Sequence, residues 1–211
     1  IKLFDPDRLL DRLSTALRFF FSPAFVFISA FLILSACMLT INSWGDIRRD
    51  IVALFHFQSI IVAWIIVFGV ITLHEFAHGL TCKRFGGRVH EMGFMLIYFQ
   101  PALYCNVSDA WLFPEKSKRL WVTFAGAYFE VFLWALATFI WRATDTNTSI
   151  NHAALIIMAT SGFKSLFNLN PLIKFDGYYL LSDYLNIPNL RRNSFLYFGN
   201  GVRTILGLTV R

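Results

Sequence analysis

Charge is scarce in this chain. Of its 211 residues, 15% are Asp, Glu, Lys or Arg, against about 25% in an ordinary soluble domain. That shortage excludes a disordered chain and a charged coiled coil. Cysteine is scarce too: three residues cannot build a disulfide framework. There is no internal repeat, no low-complexity tract and no flexible linker, so residues 1–211 read as one domain. The first residue is Ile1 rather than Met, and the last, Arg211, follows the apolar run 195–208, which leads to the expectation of a piece of a longer protein.

Apolar mass fills the space that charge leaves. Hydrophobic residues make up 56% of the chain and aromatics 18%, including 24 Phe; the mean hydropathy is +0.56. This composition points to a lipid environment. The net charge of +6 then marks loops on one side of a bilayer rather than a nucleic-acid surface; membrane lipid is the expected surrounding partner and no nucleic acid is.

Four stretches are apolar and long enough to cross a core of about 30 Å: 19–41, 51–73, 120–141 and 150–173. The third carries one charge, Glu130, and the fourth one, Lys164. Pro171 breaks the fourth helix at or before Asn170. The run 92–105, split by Pro101, is too short to span and reads as a re-entrant or interfacial hairpin. The expected fold is an all-α polytopic membrane protein with about four transmembrane helices and that short hairpin.

Lys and Arg are distributed unevenly. Lys2, Arg8, Arg12, Arg18, Lys83, Arg84, Arg88, Lys116, Lys118, Arg119, Lys174, Arg191 and Arg192 flank one side of the spans, and Arg48, Arg49 and Arg142 the other. The positive-inside rule puts the N-terminus, the segment 82–118 and the region after 173 in the cytoplasm. Cys82 and Cys105 then face a reducing compartment and are expected as free thiols.

The chemistry lies in His74-Glu75-Phe76-Ala77-His78. Positions i and i+4 share a helix face, so two imidazoles can hold one metal ion, and the Glu between them serves as a general base. Catalytic zinc takes three protein ligands. A third His at the metzincin spacing is missing, since Arg84 stands there. His56, His90 and His152 read as solvated or interfacial. Topology supplies a better ligand: the second and fourth spans run the same way, so Asp176 reaches the depth of the two His, with Pro171 and Gly177 giving the backbone freedom to turn. His90 or Glu91 is the fallback. Glu130 and Lys164, each the lone charge of its span, are expected to pair inside the bundle.

HEFAH followed by Asn168-Leu169-Asn170-Pro171-Leu172-Ile173-Lys174-Phe175-Asp176-Gly177 resembles the site-2 protease family of intramembrane zinc metalloproteases. The stretch Cys105–Pro114 and the GYYLLSD run look closer to its bacterial peptide zinc metalloprotease members, which often sit beside peptide-modification or secretion systems. The resemblance covers about residues 10–193. It implies Zn2+ on His74, His78 and Asp176, with Glu75 as base and Asn168 as a polar neighbour of the site. It also implies a membrane-associated peptide or transmembrane-protein substrate cut near the cytoplasmic face, secretion-system partners, and a multi-pass place in a bacterial inner membrane. One departure stands out: where the family often carries G-P-x-x-N, this chain reads Gly126-Ala127-Tyr128-Phe129-Glu130, which makes Glu130 a candidate neighbour of the metal or substrate. The competing reading is a non-catalytic zinc-binding component of an export system. Glu75 argues against it, because a structural site needs no base. An iron-dependent lipid desaturase needs several His-rich boxes, and five His with one close pair do not supply them.

Overall fold

The computed structural model describes residues 2–53, 60–97 and 100–205. A short strand β1 (Lys2–Phe4) leads into α1 (Asp7–Ala16), a 3-10 turn (Arg18–Phe21), α2 (Pro23–Asn42) and α3 (Trp44–Ala53). The long α4 (Ile60–Arg84) is followed by β2 (Met92–Ile97), β3 (Gln100–Cys105) and a 3-10 turn (Ser108–Leu112). The chain continues with α5 (Lys116–Ala143), α6 (Ser149–Asn168), α7 (Asp176–Leu185) and α8 (Leu190–Ile205).

Local chemistry sets these boundaries. Ser22 caps α2 by accepting the Phe25 N–H at 3.1 Å, with Pro23 in the first turn, where its missing N–H costs nothing. Thr148 caps α6 through the Asn151 N–H. The Asn151 amide then donates to the carbonyls of Trp141 and Thr144, tying the α5–α6 turn. After α4, Gly86 takes a φ of 89°, a left-handed conformation that favours glycine.

Three described helices are long and apolar enough to cross a membrane: Pro23–Asn42, Ile61–Arg84 and Lys116–Ala143. Their outward faces are apolar. Phe27, Phe31, Leu34, Met38 and Ile41 form an exposed stripe on α2, as do Ile61 and Ile65 on α4, the inverse of a soluble helix. α6 has the length of a span, but Asn151, His152, Lys164 and its serines lower its hydropathy below that of the other three. It packs instead along α5, the central helix, which also meets α2, α4 and α7. Buried Ala125, Gly126, Ala127, Ala135 and Ala137 on α5 let its neighbours approach closely.

Two expected boundaries shift. The apolar run 51–73 divides between α3 and α4, and the join falls on residues 54–59, outside the described residues. α4 also runs past the apolar stretch to Arg84, so HEFAH lies within the helix rather than at its end. Within the run 92–105, β2 and β3 pair antiparallel with Met92 opposite Cys105. β1 joins it to give a sheet of order β1-β2-β3, an addition to the all-helical expectation. β3 is an edge strand of that sheet, and it packs against α4. Asp7 fastens the N-terminal segment, accepting the Val89 N–H and Lys83 Nζ, each at 2.9 Å.

A candidate metal centre in the helix bundle

Three helices converge on His74 and His78, which are 3% and 7% exposed. α4 presents both imidazoles on one face. α7 begins at Asp176, where a helix N-terminus favours a carboxylate. The loop after Asn168 folds back so tightly that a Cβ on Gly177 would stand 2.3 Å from the Leu169 carbonyl oxygen, so glycine alone permits this entry into α7. α5 walls the site with Val122, Gly126 and Glu130, four residues apart and hence on one face.

The ring nitrogens are oriented from α5. His78 Nδ1–H donates to the Val122 carbonyl at 2.7 Å, which leaves the lone pair of Nε2 free. His74 Nδ1 lies 3.0 Å from Glu130 Oε1, with the carboxylate displaced from the ring N–H axis. A carboxylate there favours the proton on Nδ1 and the lone pair on Nε2. The two Nε2 atoms are 3.0 Å apart, and Asp176 Oδ2 lies 3.1 Å from one and 3.4 Å from the other. Three electron-pair donors so close repel unless a proton or a metal cation lies among them. Ligands about 2.0–2.1 Å from a tetrahedral zinc stand about 3.3 Å apart, and these three atoms match that spacing. Among the described residues, His74, His78 and Asp176 form the one such group of possible ligands.

Around this triad the donors are neutral or paired. The Asn168 amide donates to Asp176 Oδ2 at 3.2 Å and lies 3.3 Å from His74 Nε2. Glu130 is fully buried; Lys164 Nζ donates to its Oε1 and Ser165 Oγ to its Oε2. Glu75 Oε2 accepts the Cys105 N–H at the end of β3 at 3.1 Å. It lines, with His78 and Asp176, a cavity of about 390 Å³.

The other candidates lie elsewhere. His90 is half exposed and its Nε2 is held by Asp109 Oδ1 at 3.0 Å, while Glu91 joins no metal-ligating group. His152 is exposed on the first turn of α6, and His56 lies outside the described residues. Sequence reasoning missed Gly126, where a Cβ would stand 2.4 Å from His78 Nε2 and 2.5 Å from His74 Cε1. It also missed the Val122 carbonyl, since a main-chain acceptor leaves no trace in residue identity.

No family model matches the chain, and no solved structure matches it. It is 26% identical over 175 residues to the Bacillus subtilis (strain 168) protein named "Putative peptide zinc metalloprotease protein YydH", over 81% of this chain and 67% of that protein.

Proposed function

We propose that this protein is an intramembrane zinc metalloprotease of the site-2 protease type that hydrolyses a peptide bond of a membrane-associated substrate. One observation carries the reading: three lone-pair donors stand at zinc-ligand spacing, and two of them, on His78 and Asp176, line a cavity with Glu75. His74, His78 and Asp176 would hold the metal, and zinc, when bound, supplies a Lewis acid that polarises the scissile carbonyl. Glu75 takes a proton from the attacking water and delivers it to the leaving amine. Its hydrogen bond from the Cys105 N–H fixes the carboxylate in the wall of the cavity that His78 and Asp176 also line. Glu130 holds the His74 ring, and Lys164 offsets its charge, so the orienting carboxylate adds no net charge to the site.

Helical carbonyls are already bonded, so a substrate must be extended to be cut. The outer edge of β3, which pairs with no strand among the described residues, suits an added strand, which would lie beside Glu75. We assign the site to the cytoplasmic side of a bacterial inner membrane, on the distribution of Lys and Arg, with the N-terminus on that side; peptide-export components are the partners this reading suggests. A Cys reporter at Ser117 should label only from the inner face and one at Thr146 only from outside, and the opposite pattern overturns the orientation.

The function is tested by purifying the protein in detergent, counting zinc per chain and assaying a membrane peptide. His74→Ala and Asp176→Ala should lose most zinc. Glu75→Gln should keep it and lose turnover, by analogy with the loss of other general bases by about 10²–10⁴-fold. Full activity in Glu75→Gln overturns the mechanism.

A further inference from the structure

The cavity that reaches the metal ligands continues along α7. Asp176, Tyr179 and Asp183 all line it, and positions i, i+3 and i+7 share a helix face. Asp183 therefore stands about 10 Å along the helix from Asp176, at 1.5 Å per residue. Its residue is 8% exposed. Trp111 lines the same cavity, its ring edge-on to Tyr179 with centroids 6.4 Å apart.

Asp183 has a hydrogen bond with Thr123 but no ion-pair partner among the described residues, although Arg119 lines the same cavity. No Lys, Arg or His nitrogen among the described residues lies within ion-pair distance of it. Arg119 is the cation whose charge reaches it, and the Thr123 hydroxyl donates a hydrogen bond to it. The Arg119 guanidinium is committed elsewhere, donating to the Phe113 carbonyl at 2.8 Å and to Asn186 Oδ1 at 3.2 Å. Burial accordingly pushes the Asp183 carboxyl up, outweighing Arg119 and Thr123. A carboxylate kept in an unfavourable setting beside a cavity is a candidate functional group. A carboxylate with two aromatic rings is the chemistry that receives an ammonium or guanidinium group.

We infer that Asp183, with Trp111 and Tyr179, forms a subsite for a positively charged group of the substrate peptide. This inference rests on the proteolytic reading above for the direction in which the peptide lies. An extended chain advances about 3.3 Å per residue, so 10 Å places the charge about three residues from the scissile bond. A Lys or Arg side chain and a free N-terminal amine offer the same chemistry.

The test uses apolar fluorescent peptides of one length that carry a single Lys, moved position by position, or norleucine in its place. Each is prepared with a free and with an acetylated N-terminus. Binding is measured on zinc-loaded Glu75→Gln protein in detergent, and cleavage on the zinc-loaded wild type. One Lys position, or the free terminus, should bind about ten-fold or more tighter than its neutral counterpart. Asp183→Asn in the Glu75→Gln background should abolish that ratio while zinc stays at one per chain. Acetylation decides between the two sources: a preference that survives it belongs to the side chain, and one that vanishes belongs to the terminus. A ratio within two-fold for every peptide, or one that persists in Asp183→Asn, overturns the subsite. Charge-selective binding without any wild-type cleavage would leave the subsite standing and sink the proteolytic reading. Cleavage indifferent to charge would do the reverse.

Discussion

Lys164 on α6 donates to Glu130 on α5 through the same carboxylate oxygen that stands 3.0 Å from His74 Nδ1. An ion pair between α5 and α6 is thus joined to an imidazole of the candidate metal centre. Glu130 is wholly buried, whereas the Lys164 side chain is 27% exposed. Removing the lysine therefore strands the more costly charge.

A double-mutant cycle measures this coupling. Glu130→Gln and Lys164→Met should each destabilise by about 2–4 kcal/mol, with the double variant falling short of their sum by at least about 1 kcal/mol. Glu130→Gln should also weaken zinc binding by about 10–100-fold, the usual effect of losing a carboxylate behind a ligating His. Thermal unfolding and competition with a zinc chelator read the two effects separately. Strict additivity would remove the pair, and unchanged zinc affinity would remove its link to His74.

Gly126→Ala would set a methyl group 2.4 Å from His78 Nε2 and 2.5 Å from His74 Cε1. Both atoms belong to rings held by other contacts, so neither can retreat freely. We expect zinc to fall to a small fraction of one per chain. The fold should survive with a loss of about 1–3 kcal/mol, the ordinary cost of overpacking. Metal content and circular dichroism of the purified variant check this, and full zinc content would show that α5 yields.

Asp183 gives a pH prediction. Burial raises its folded value above the usual 3.8, so the folded state holds the proton more tightly than the unfolded chain. Its contribution is fully present below the unfolded value and is lost as pH rises through the folded one. Asp183→Asn should therefore melt higher than wild type at neutral pH, and the gap should close as pH falls below 3.8. Melting curves between pH 3 and 8 test this; a gap that is constant with pH assigns the effect to something other than the charge.

Asp7 behaves oppositely. Burial raises its carboxyl, but the Val89 N–H and Lys83 together outweigh burial and hold it below 3.8. Its stabilisation is present above that value and lost as pH falls through the lower folded one. Asp7→Asn should lower the melting temperature at neutral pH and flatten its acid dependence. An acid limb identical to that of wild type would show that the N-terminal segment is fastened by other contacts.

The site was more legible than the frame around it. HEFAH follows from the helical period, and Asn168-to-Gly177 is punctuated by residues with strong local preferences: Pro171 cannot continue α6, and Gly177 permits the tight entry into α7. Helix limits were harder to read, because hydropathy falls at His74, where a buried polar site begins, while nothing breaks the helix before Gly86. The β2–β3 pair was visible as a short apolar run around Pro101, but a short apolar run does not declare its secondary structure. β1 spans Lys2–Phe4 and is held by pairing with β2, which no local signal announces. Asp183 escaped notice because an Asp between Ser182 and Tyr184 looks like any turn-prone acid until its burial is known.

The Val122–Gly126–Glu130 row on α5 makes three unequal demands on heredity. At 122 the site uses a main-chain oxygen, which every amino acid carries, so replacements are limited only by packing. At 126 it uses the absence of a side chain, which one amino acid satisfies. At 130 it uses a charge shared between Lys164 on another helix and His74, so a change there costs less stability when residue 164 changes with it, while the contact to His74 is lost either way. Saturation mutagenesis along one face of this helix would thus find a permissive, a forbidden and a conditional position, none of them a ligand.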